Sequence, residues 1–374
     1  MSTAARIVVA PPEGPLVVED VELPPPGPTQ VVVRQFASGI CHSQLHQLHR
    51  PHRHSLLLGH ESTGEVVAVG DEVDHVAVGD LALVTWVPRN PAVASRWPGP
   101  FTLDLGGGRS ARTDDVFTWA THAVADQALV VKAPADVTRD VTAIIGCAVM
   151  TGAGAVLHTA GVRPGQSVAV FGVGGVGLSA VVAAREIGAG MIIAVDLDDA
   201  KLDFARRFGA THGVNASAGD AVEQIRALTR GRHEGLGFRG MPIEGVDFAF
   251  DCIGLRVTME QIVPAVRPGR FGVAPGGVAV LVGVPMTPVE LNAGEMLLAE
   301  KTFKGSIGGS CTPDEDFPRF LEWHRQGRLP LEELVTERFV LDEVNEACSA
   351  LAAGKISGRA IFDLSDAVPH RSTK

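Results

Sequence analysis

This sequence has few cysteines and fewer basic than acidic residues, and its first residues form no long apolar segment. Five cysteines among 374 residues, odd in number and widely spaced, argue against a disulfide framework and favour a reducing, cytoplasmic environment. The formal net charge of −11 argues against nucleic acid or an anionic membrane as a partner. The opening residues, MSTAARIVVAPPEG, contain no long apolar stretch, so we expect no signal peptide.

A membrane-spanning helix is not expected either. The longest apolar run, SVAVFGVGGVGLSAVVAA at residues 167–184, is near spanning length. Its glycines are grouped between a strand-like beginning and a helix-like end, which indicates a strand, a turn and a helix of a soluble protein.

Chain length and a change of rhythm near residue 150 predict two domains. The chain is too long for one typical core. Before residue 150, short β-branched runs between proline and glycine clusters are typical of an irregular β-rich domain. Afterwards strand-like and helix-like segments alternate, which predicts a doubly wound parallel sheet. The last strand, RAIFDL, is expected to return to the first domain, so that residues 1–148 and 308–374 form one domain and residues 149–307 the other.

The run GVGGVG follows the strand-like segment VAVF and opens a helix-like one. Gly172 allows a tight turn, Gly174 lets the backbone approach a pyrophosphate, and Gly177 lets helix and strand pack closely. The same turn includes Gly175 and Val176. Asp196 ends the next strand, where a carboxylate accepts hydrogen bonds from the ribose hydroxyls and repels a 2′-phosphate. The pattern predicts a dinucleotide site that favours NAD over NADP.

Histidine is concentrated in one segment, GICHSQLHQLHRPHRHSLLLGHE at residues 39–61, which holds six of the chain's 13 histidines. A four-coordinate metal site has room for only a few protein ligands, so most of these side chains cannot bind one ion. The segment by itself leaves open which of them would do so.

Several motifs are shared with one known family. Along nearly the whole chain, GICHSQLH, LLGHESTGEVVAVG, IIGCAVMTGAGAV, FGVGGVGLSA, VGVP and FKGSIGGS together resemble the zinc-dependent medium-chain alcohol dehydrogenases. The resemblance implies an α/β protein with a GroES-like β-rich catalytic domain and a Rossmann cofactor domain. It also implies reversible alcohol oxidation with zinc and NAD by a homo-oligomer, either a dimer or a tetramer.

The resemblance also selects the zinc ligands. In that family they are the cysteine of GIC, the histidine of GHE and a cysteine shortly before the cofactor domain, here Cys41, His60 and Cys147. Two thiolates and one imidazole make a soft tetrahedral site with an open fourth position, the catalytic type. Glu61 would lie behind the metal, near the ligands without being one of them.

Proton transfer and cofactor contacts are implied in the same way. Ser43 would hydrogen-bond the alcohol oxygen, and the proton would pass through a ribose hydroxyl to His46. Further cofactor contacts are expected from His42, Lys201, Ile253, Val284 and Arg359. Lys201 is equally consistent with a solvated helix position, and Ile253 and Val284 with core positions at strand ends.

Apolar side chains are expected around the substrate. Trp86, Trp119 and Ile307 match cleft positions of the family, although each tryptophan is equally consistent with core packing. Such a pocket favours a primary alcohol with an apolar or aromatic tail. His49, His52 and His54 match no family position and are interpreted as surface loop residues.

The sequence departs from the family pattern in two places. Many members carry a second, structural zinc on four closely spaced cysteines, but residues 85–108 contain no cysteine, which excludes a tetrathiolate site there. Gln44 stands where the family usually has an acid that steadies the metal-bound histidine, so the partner of His60 is open.

Alternative functions remain at this point. Within the family, a polyol or secondary-alcohol dehydrogenase and a zinc-free quinone or enoyl reductase are possible. A protein that keeps the fold without turnover, and an enzyme whose cofactor stays bound and passes electrons to an external acceptor, are the others. The strand GVAVLVGVP is expected at the far edge of the cofactor sheet, where it could pair with a second copy of the chain.

Overall fold

The computed structural model describes residues 2–94 and 97–365. Its contacts divide the chain into a β-rich unit, Met1–Ala148 with Thr312–Lys374, and a parallel-sheet unit, Val149–Cys311. Contacts place the end of the parallel-sheet unit at residue 311, whereas the sequence predicts residue 307, and Ser310 Oγ lies 2.7 Å from Thr159 Oγ1 within this unit. Residues 1, 95–96 and 366–374 of the predicted ranges lie outside the described residues.

The first part of the β-rich unit consists mainly of strands. They are β1 (Thr3–Ala10), β2 (Val17–Leu23), β3 (Gln30–Ile40), β4 (Ser55–Leu57), β5 (Ser62–Val69), β6 (Leu81–Val84), β7 (Phe101–Gly106), β8 (Arg109–Thr113), β9 (His122–Asp126) and β10 (Val130–Lys132). The helices are α1 (His42–His49) and α2 (Pro91–Ala94), with 3₁₀ turns at Gln127–Leu129 and Val141–Gly146.

The parallel-sheet unit alternates strands and helices as predicted. Its strands are β11 (Ser167–Phe171), β12 (Met191–Asp196), β13 (His212–Asn215), β14 (Phe248–Asp251), β15 (Val278–Leu281) and β16 (Thr302–Gly305). Its helices are α3 (Ala148–Gly154), a π-helix (Ala155–Ala160), α4 (Gly175–Glu186), α5 (Asp199–Phe208), α6 (Ala221–Thr229), α7 (Arg256–Ala265) and α8 (Ala293–Leu298), with 3₁₀ turns at Phe238–Gly240 and Gly308–Ser310. Asp198 and Asp220 begin α5 and α6 by accepting backbone N–H groups with their carboxylates.

The six strands of this unit form one parallel sheet in the order β13-β12-β11-β14-β15-β16. All five carboxyl-terminal loops that carry predicted cofactor or pocket residues therefore open at the same edge of the sheet. The prediction that GVAVLVGVP is the edge strand is wrong, because β16 pairs with β15 beyond it. The short strand TFKG is separated from the end of α8 by three residues and gives little periodic signal.

The C-terminal segment completes the β-rich unit. It contains α9 (Pro313–Arg325), α10 (Leu331–Leu334), β17 (Val335–Phe339), a 3₁₀ turn at Leu341–Glu343, α11 (Val344–Ala352) and β18 (Arg359–Asp363). β18 pairs antiparallel with β3, with Ala360 opposite Ile40. This pairing sets the beginning of β18 beside the end of β3, where α1 starts.

The β-rich unit contains two sheets. One has the order β2-β1-β4-β8-β7, and the other β10-β6-β5-β3-β18-β17 with β9 paired to β3. Helices long and apolar enough to cross a membrane are not found among the described residues. The run at residues 167–184 instead forms β11, the glycine turn and most of α4.

Candidate metal centre and cofactor edge

Three ends of secondary structure in the β-rich unit bring the predicted ligands together. Cys41 links β3 to α1, His60 lies between β4 and β5, and Cys147 follows the 3₁₀ turn Val141–Gly146. One ligand atom from each residue lies within 4.8 Å of the others. Both cysteines are buried, and His60 is half-buried. Two sulfurs and one ring nitrogen that converge in this way fit a zinc ion with a free coordination position.

The pKa values of the two thiols are shifted in opposite directions. The hydrogen bond from Cys147 lowers the pKa of Cys41 well below its usual range, and the Arg359 charge acts in the same direction. The same bond, together with burial, raises the pKa of Cys147. A cation close to both sulfurs would favour the thiolate form of each. Burial lowers the pKa of His60, but the Cys41 thiolate and the Glu61 charge outweigh it and the net shift is upward.

Glu61 and Arg359 form a buried ion pair behind the ligands. Arg359 Nη2 donates to Glu61 Oε1, and the Ala148 N–H donates to Glu61 Oε2 at 3.2 Å. The side chain of Glu61 fills the space beside Gly39, where a Cβ atom would overlap the carboxylate. Burial raises the pKa of Glu61, and the Arg359 charge opposes the shift. The place of Glu61 behind a metal and a contact of Arg359 with the cofactor both stay predictions.

Gln44 is the residue that contacts His60 from the other side. Its Nε2 lies 2.8 Å from His60 Nδ1, and its Oε1 accepts the Gly59 N–H at 2.5 Å. Gln44 is buried on α1. Because Gln44 occupies Nδ1, Nε2 is the His60 nitrogen left for a metal. The glutamine thus takes the position of the missing acid.

The predicted proton-transfer residues lie on α1. Ser43 and His46 are three residues apart, which places both side chains on one face of the helix. Burial lowers the pKa of His46. His42 is exposed, and its ring centroid is 6.4 Å from that of His46. A neutral imidazole at pH 7 is suited to accept a proton.

The two tryptophans lie in different environments. The Trp86 ring meets the His60 ring edge-on with centroids 6.4 Å apart, and its buried indole N–H has no acceptor among the described residues. Trp119 has no exposed surface, donates its N–H to Gly39 O at 3.0 Å and packs against Phe362. A fully enclosed ring cannot line an open pocket, so the predicted pocket role of Trp119 is wrong.

The remaining histidines of the segment stay apart from the ligands. His49 and His54 are exposed, and His52 Nδ1 lies 2.8 Å from His54 O. Sequence reasoning missed Asp115, a half-buried residue whose carboxyl pKa is raised by burial and whose charge interacts with that of His60. It lies in a loop after β8, and no motif marks it.

The cofactor residues predicted in the parallel-sheet unit meet at the carboxyl edge of its sheet. Gly172 has φ +83° and lies against Ile253, and a Cβ on Gly177 would overlap Gly172 O. The space around Gly174 is open for 4 Å. The turn leads directly into α4, of which Gly175 and Val176 are the first two residues. This is the arrangement in which a helix N-terminus can receive a phosphate.

Asp196 ends β12 at that edge. Its Oδ2 accepts the Val173 N–H at 3.1 Å, and its Oδ1 accepts the Leu197 N–H at 2.8 Å. Lys201 lies on α5 and is half-buried. Val284 and Ile307 follow β15 and β16 at the same edge and are exposed, Ile307 by 78%. Their contacts with cofactor or substrate stay predictions.

Comparison with known proteins identifies the family. Residues 175–326 match the zinc-binding dehydrogenases, and residues 27–135 match the alcohol dehydrogenase GroES-like domain. The chain is 31% identical to geraniol dehydrogenase of Castellaniella defragrans over 91% of this chain and 93% of that protein. It is 30% identical to the class-3 alcohol dehydrogenase of Cereibacter sphaeroides over 91% and 94%.

A solved structure agrees with these relatives. The benzyl alcohol dehydrogenase from Acinetobacter calcoaceticus superposes with a TM-score of 0.82 at 27% identity, over 96% of this chain and 99% of that one. The predicted fold, a GroES-like domain with a parallel-sheet cofactor domain, is confirmed. The chain is thus a member of the medium-chain, zinc-type alcohol dehydrogenase family of oxidoreductases.

Proposed function

We propose that the protein is a zinc-dependent, NAD-linked dehydrogenase that reversibly oxidises primary alcohols with an apolar or aromatic tail to aldehydes. The observation that carries the proposal is the convergence of Cys41, His60 and Cys147 beside the ring of Trp86. The three residues would hold one zinc per chain. An aromatic wall next to the metal position favours an apolar group next to the reacting carbon.

The residues around that position have separate tasks. Zinc, when bound, supplies a Lewis acid that makes a hydroxyl oxygen more acidic. The Ser43 hydroxyl would orient the alcohol and accept its proton in a hydrogen bond. His46 would take up the proton at a ring nitrogen, since its lowered pKa keeps it neutral at pH 7. The Glu61–Arg359 pair neutralises charge behind the ligands without adding another ligand atom.

The choice of NAD rests on Asp196. Its carboxylate is fixed by two backbone N–H groups at the end of β12. A carboxylate at this place favours ribose hydroxyls and repels a 2′-phosphate. The open surface around Gly174 supports binding of the pyrophosphate in the adjoining turn.

Self-association belongs to the same proposal. β16 leaves one edge of the parallel sheet unpaired within the described chain, and Leu297 and Leu298 on the preceding helix are exposed. An unpaired strand with apolar neighbours is a surface that a second copy can cover. We therefore propose a homo-oligomer.

The test combines metal content with a substrate panel. Tag-free protein is analysed for zinc, and NAD reduction is followed with benzyl alcohol, geraniol, a secondary alcohol and a polyol. We expect close to one zinc per chain and the highest kcat/KM for the apolar primary alcohols. Higher values for the polyol or secondary alcohol would favour that alternative. Protein without zinc that still binds NAD would favour the zinc-free reductase.

Rates with an artificial electron acceptor complete the panel. Freely exchanging NAD predicts multiple turnovers without such an acceptor. Turnover that appears only when the acceptor is present would instead indicate a cofactor that stays bound. Elemental analysis close to two metals per chain would contradict the proposal of one zinc per chain.

A further inference from the structure

The histidine-rich loop that plays no part in the metal cluster lines a pocket of its own. The pocket has a volume of about 200 Å³ and opens on the β-rich unit. Its basic lining comes from His52, Arg53 and His54 in the loop after α1 and from Arg112 near the end of β8. A loop that looked like featureless surface in the sequence is therefore one wall of a concave site.

Backbone pairing holds the two walls together. β4 pairs parallel with β8, and Leu56 lies opposite Arg112. His52 Nδ1 lies 2.8 Å from His54 O, a contact that ties the loop to itself just before β4 begins. Arg112 thus projects from β8, and the position of β8 is set by its pairing with β4, which follows the loop. The cationic side chains on the two walls are therefore held near one another by the backbone.

The charge of the pocket is opposite to that of the whole chain. Arg53 and Arg112 each bring a guanidinium cation to the lining, and His52 and His54 add ring N–H donors. The acid in the lining is Asp114, 3.0 Å from Arg112 in an exposed pair of the kind that contributes little energy. Arg53 has no ion-pair partner within the described part of the chain. In a protein of net charge −11, this concave patch carries mainly positive side chains, a charge that attracts anions.

A metal is not the expected occupant. Two guanidinium groups repel a cation, and they have no lone pair to coordinate one. Arginine side chains bind carboxylate and phosphate groups through paired N–H donors. The volume is smaller than that of a typical drug-sized pocket and suits the end group of a molecule.

The elements that line the pocket also carry the candidate active-site residues. Gln47, one of the lining residues, is four residues after Ser43 on α1, so both lie on one helix face about 6 Å apart along the axis. Leu56 supplies apolar surface four positions before His60. Asp114 precedes Asp115, whose charge interacts with that of His60.

We propose that this pocket binds a carboxylate or phosphate group through Arg53 and Arg112. One source of that group is the far end of an alcohol substrate whose hydroxyl lies at Ser43 and whose tail passes Gln47 and Leu56. The other source is a free anion that binds independently of the alcohol. The first source deepens the proposed function and rests on it, whereas the second does not.

The first arm of the test compares matched alcohols. The ratio of kcat/KM for 4-(hydroxymethyl)benzoate to kcat/KM for 4-methylbenzyl alcohol is measured at low ionic strength, and again for ω-hydroxydecanoate and decanol to cover a longer reach. A substrate-tail site predicts a ratio above one for at least one pair, since charge-assisted hydrogen bonds contribute about ten- to hundredfold. Arg112→Gln and Arg53→Gln should lower this ratio, and added salt should lower it in the wild type.

Arg109→Gln is the matched control. Arg109 lies on the same strand as Arg112 but pairs with Glu19 outside the pocket. Its replacement removes the same charge from β8 and should leave the ratio as it is in the wild type. An equal fall in the Arg109 and Arg112 variants would reduce the effect to general surface charge and overturn the proposal.

The second arm uses free anions. Inorganic phosphate and benzoate are titrated into the wild type, Arg53→Gln and Arg112→Gln by calorimetry. Binding lost in both variants, without any preference in the first arm, assigns the pocket to a free anion. No preference and no binding that depends on these arginines would overturn the proposal. If no neutral alcohol is oxidised at all, the proposed function fails, and the calorimetric arm still decides the pocket.

Discussion

The candidate sites of the two units differ in how far apart in the sequence their residues lie. In the parallel-sheet unit, the site residues follow the carboxyl ends of successive strands, so local sequence order sets their place. In the β-rich unit, the site joins groups far apart in sequence, and the Glu61–Arg359 pair alone spans 298 residues. The first kind of site can lose one contact and keep its form. The second depends on a few buried charged side chains, and removal of one leaves the charge of another without its partner.

Removing a metal ligand should have the largest effect and tests the long-range site at its centre. His60→Ala leaves two thiols without the ring nitrogen, so zinc should be lost. Turnover should fall by at least about a thousandfold, because a Lewis acid contributes several kcal/mol and each 1.4 kcal/mol is a factor of ten. Zinc per chain and kcat report the two losses together.

His49→Gln is the matched control for that substitution. It removes an exposed histidine of the same segment and should keep both zinc and turnover. NAD binding by the parallel-sheet unit should survive in both variants, which separates loss of metal from loss of fold. Turnover that persists in zinc-free His60→Ala would contradict the proposed chemistry.

The proton acceptor gives the next largest effect. His46→Gln should lower kcat by about 10²–10⁴-fold, the usual contribution of a positioned acid or base. Since burial lowers the pKa of His46, the wild type should stay active below pH 6.5 and lose activity only as the pH falls through that lowered value. The acid limb of the kcat profile should disappear in the variant. If the acid limb is unchanged in the variant, a group other than His46 causes it.

A substitution at the cofactor edge of the parallel-sheet unit should have a smaller effect than the substitutions of His60 and His46 in the β-rich unit. Asp196→Asn keeps the shape of the side chain and removes its charge. The preference for NAD over NADP should fall about ten- to hundredfold, the range of a charge-assisted hydrogen bond. The kcat/KM ratio for the two cofactors measures it, and Asp203→Asn, an exposed acid on α5, is the control. An unchanged preference would show that other groups select the cofactor.

Much of the fold could be predicted because its signals are local. Gly172, Gly177 and Asp196 mark a turn, a close approach and a strand end, and each signal lies within one strand–helix unit. The edge strand β16 was missed since four residues of mixed polarity carry no usable period. The boundary near residue 310 carries no local signal, because Ser310 and Thr159, which hydrogen-bond there, are 151 residues apart in sequence.

The metal site was predictable only through family resemblance, not from the spacing of its residues. Nothing local distinguishes Cys147 from a buried core cysteine, and nothing local distinguishes Trp86 from Trp119. Burial and neighbours decide between them, because Trp86 meets His60 and Trp119 meets Phe362. The pocket around Arg112 likewise forms only when β4 and β8 pair, and the surroundings of Asp115 depend on the same pairing.

Gln44 offers the finest test of the long-range site. With its Oε1 on the Gly59 N–H, its Nε2 donates toward His60 Nδ1. Coordination through Nε2 of His60 requires a proton on Nδ1, so the amide must then turn its oxygen to Nδ1 and its NH₂ to the Gly59 N–H. One amide cannot satisfy both donors, whereas a carboxylate can.

Gln44→Glu should therefore hold zinc more tightly than the wild type, and Gln44→Leu about 10–100-fold less tightly, the usual cost of losing a group that orients a ligand. Competition with a chelator measures both affinities. Because the leucine variant keeps all three ligand atoms, it should recover turnover when zinc is added in excess, which His60→Ala should not. If the leucine and glutamate variants retain zinc equally, His60 is oriented by its backbone and by Trp86, and the glutamine does not compensate for the missing acid.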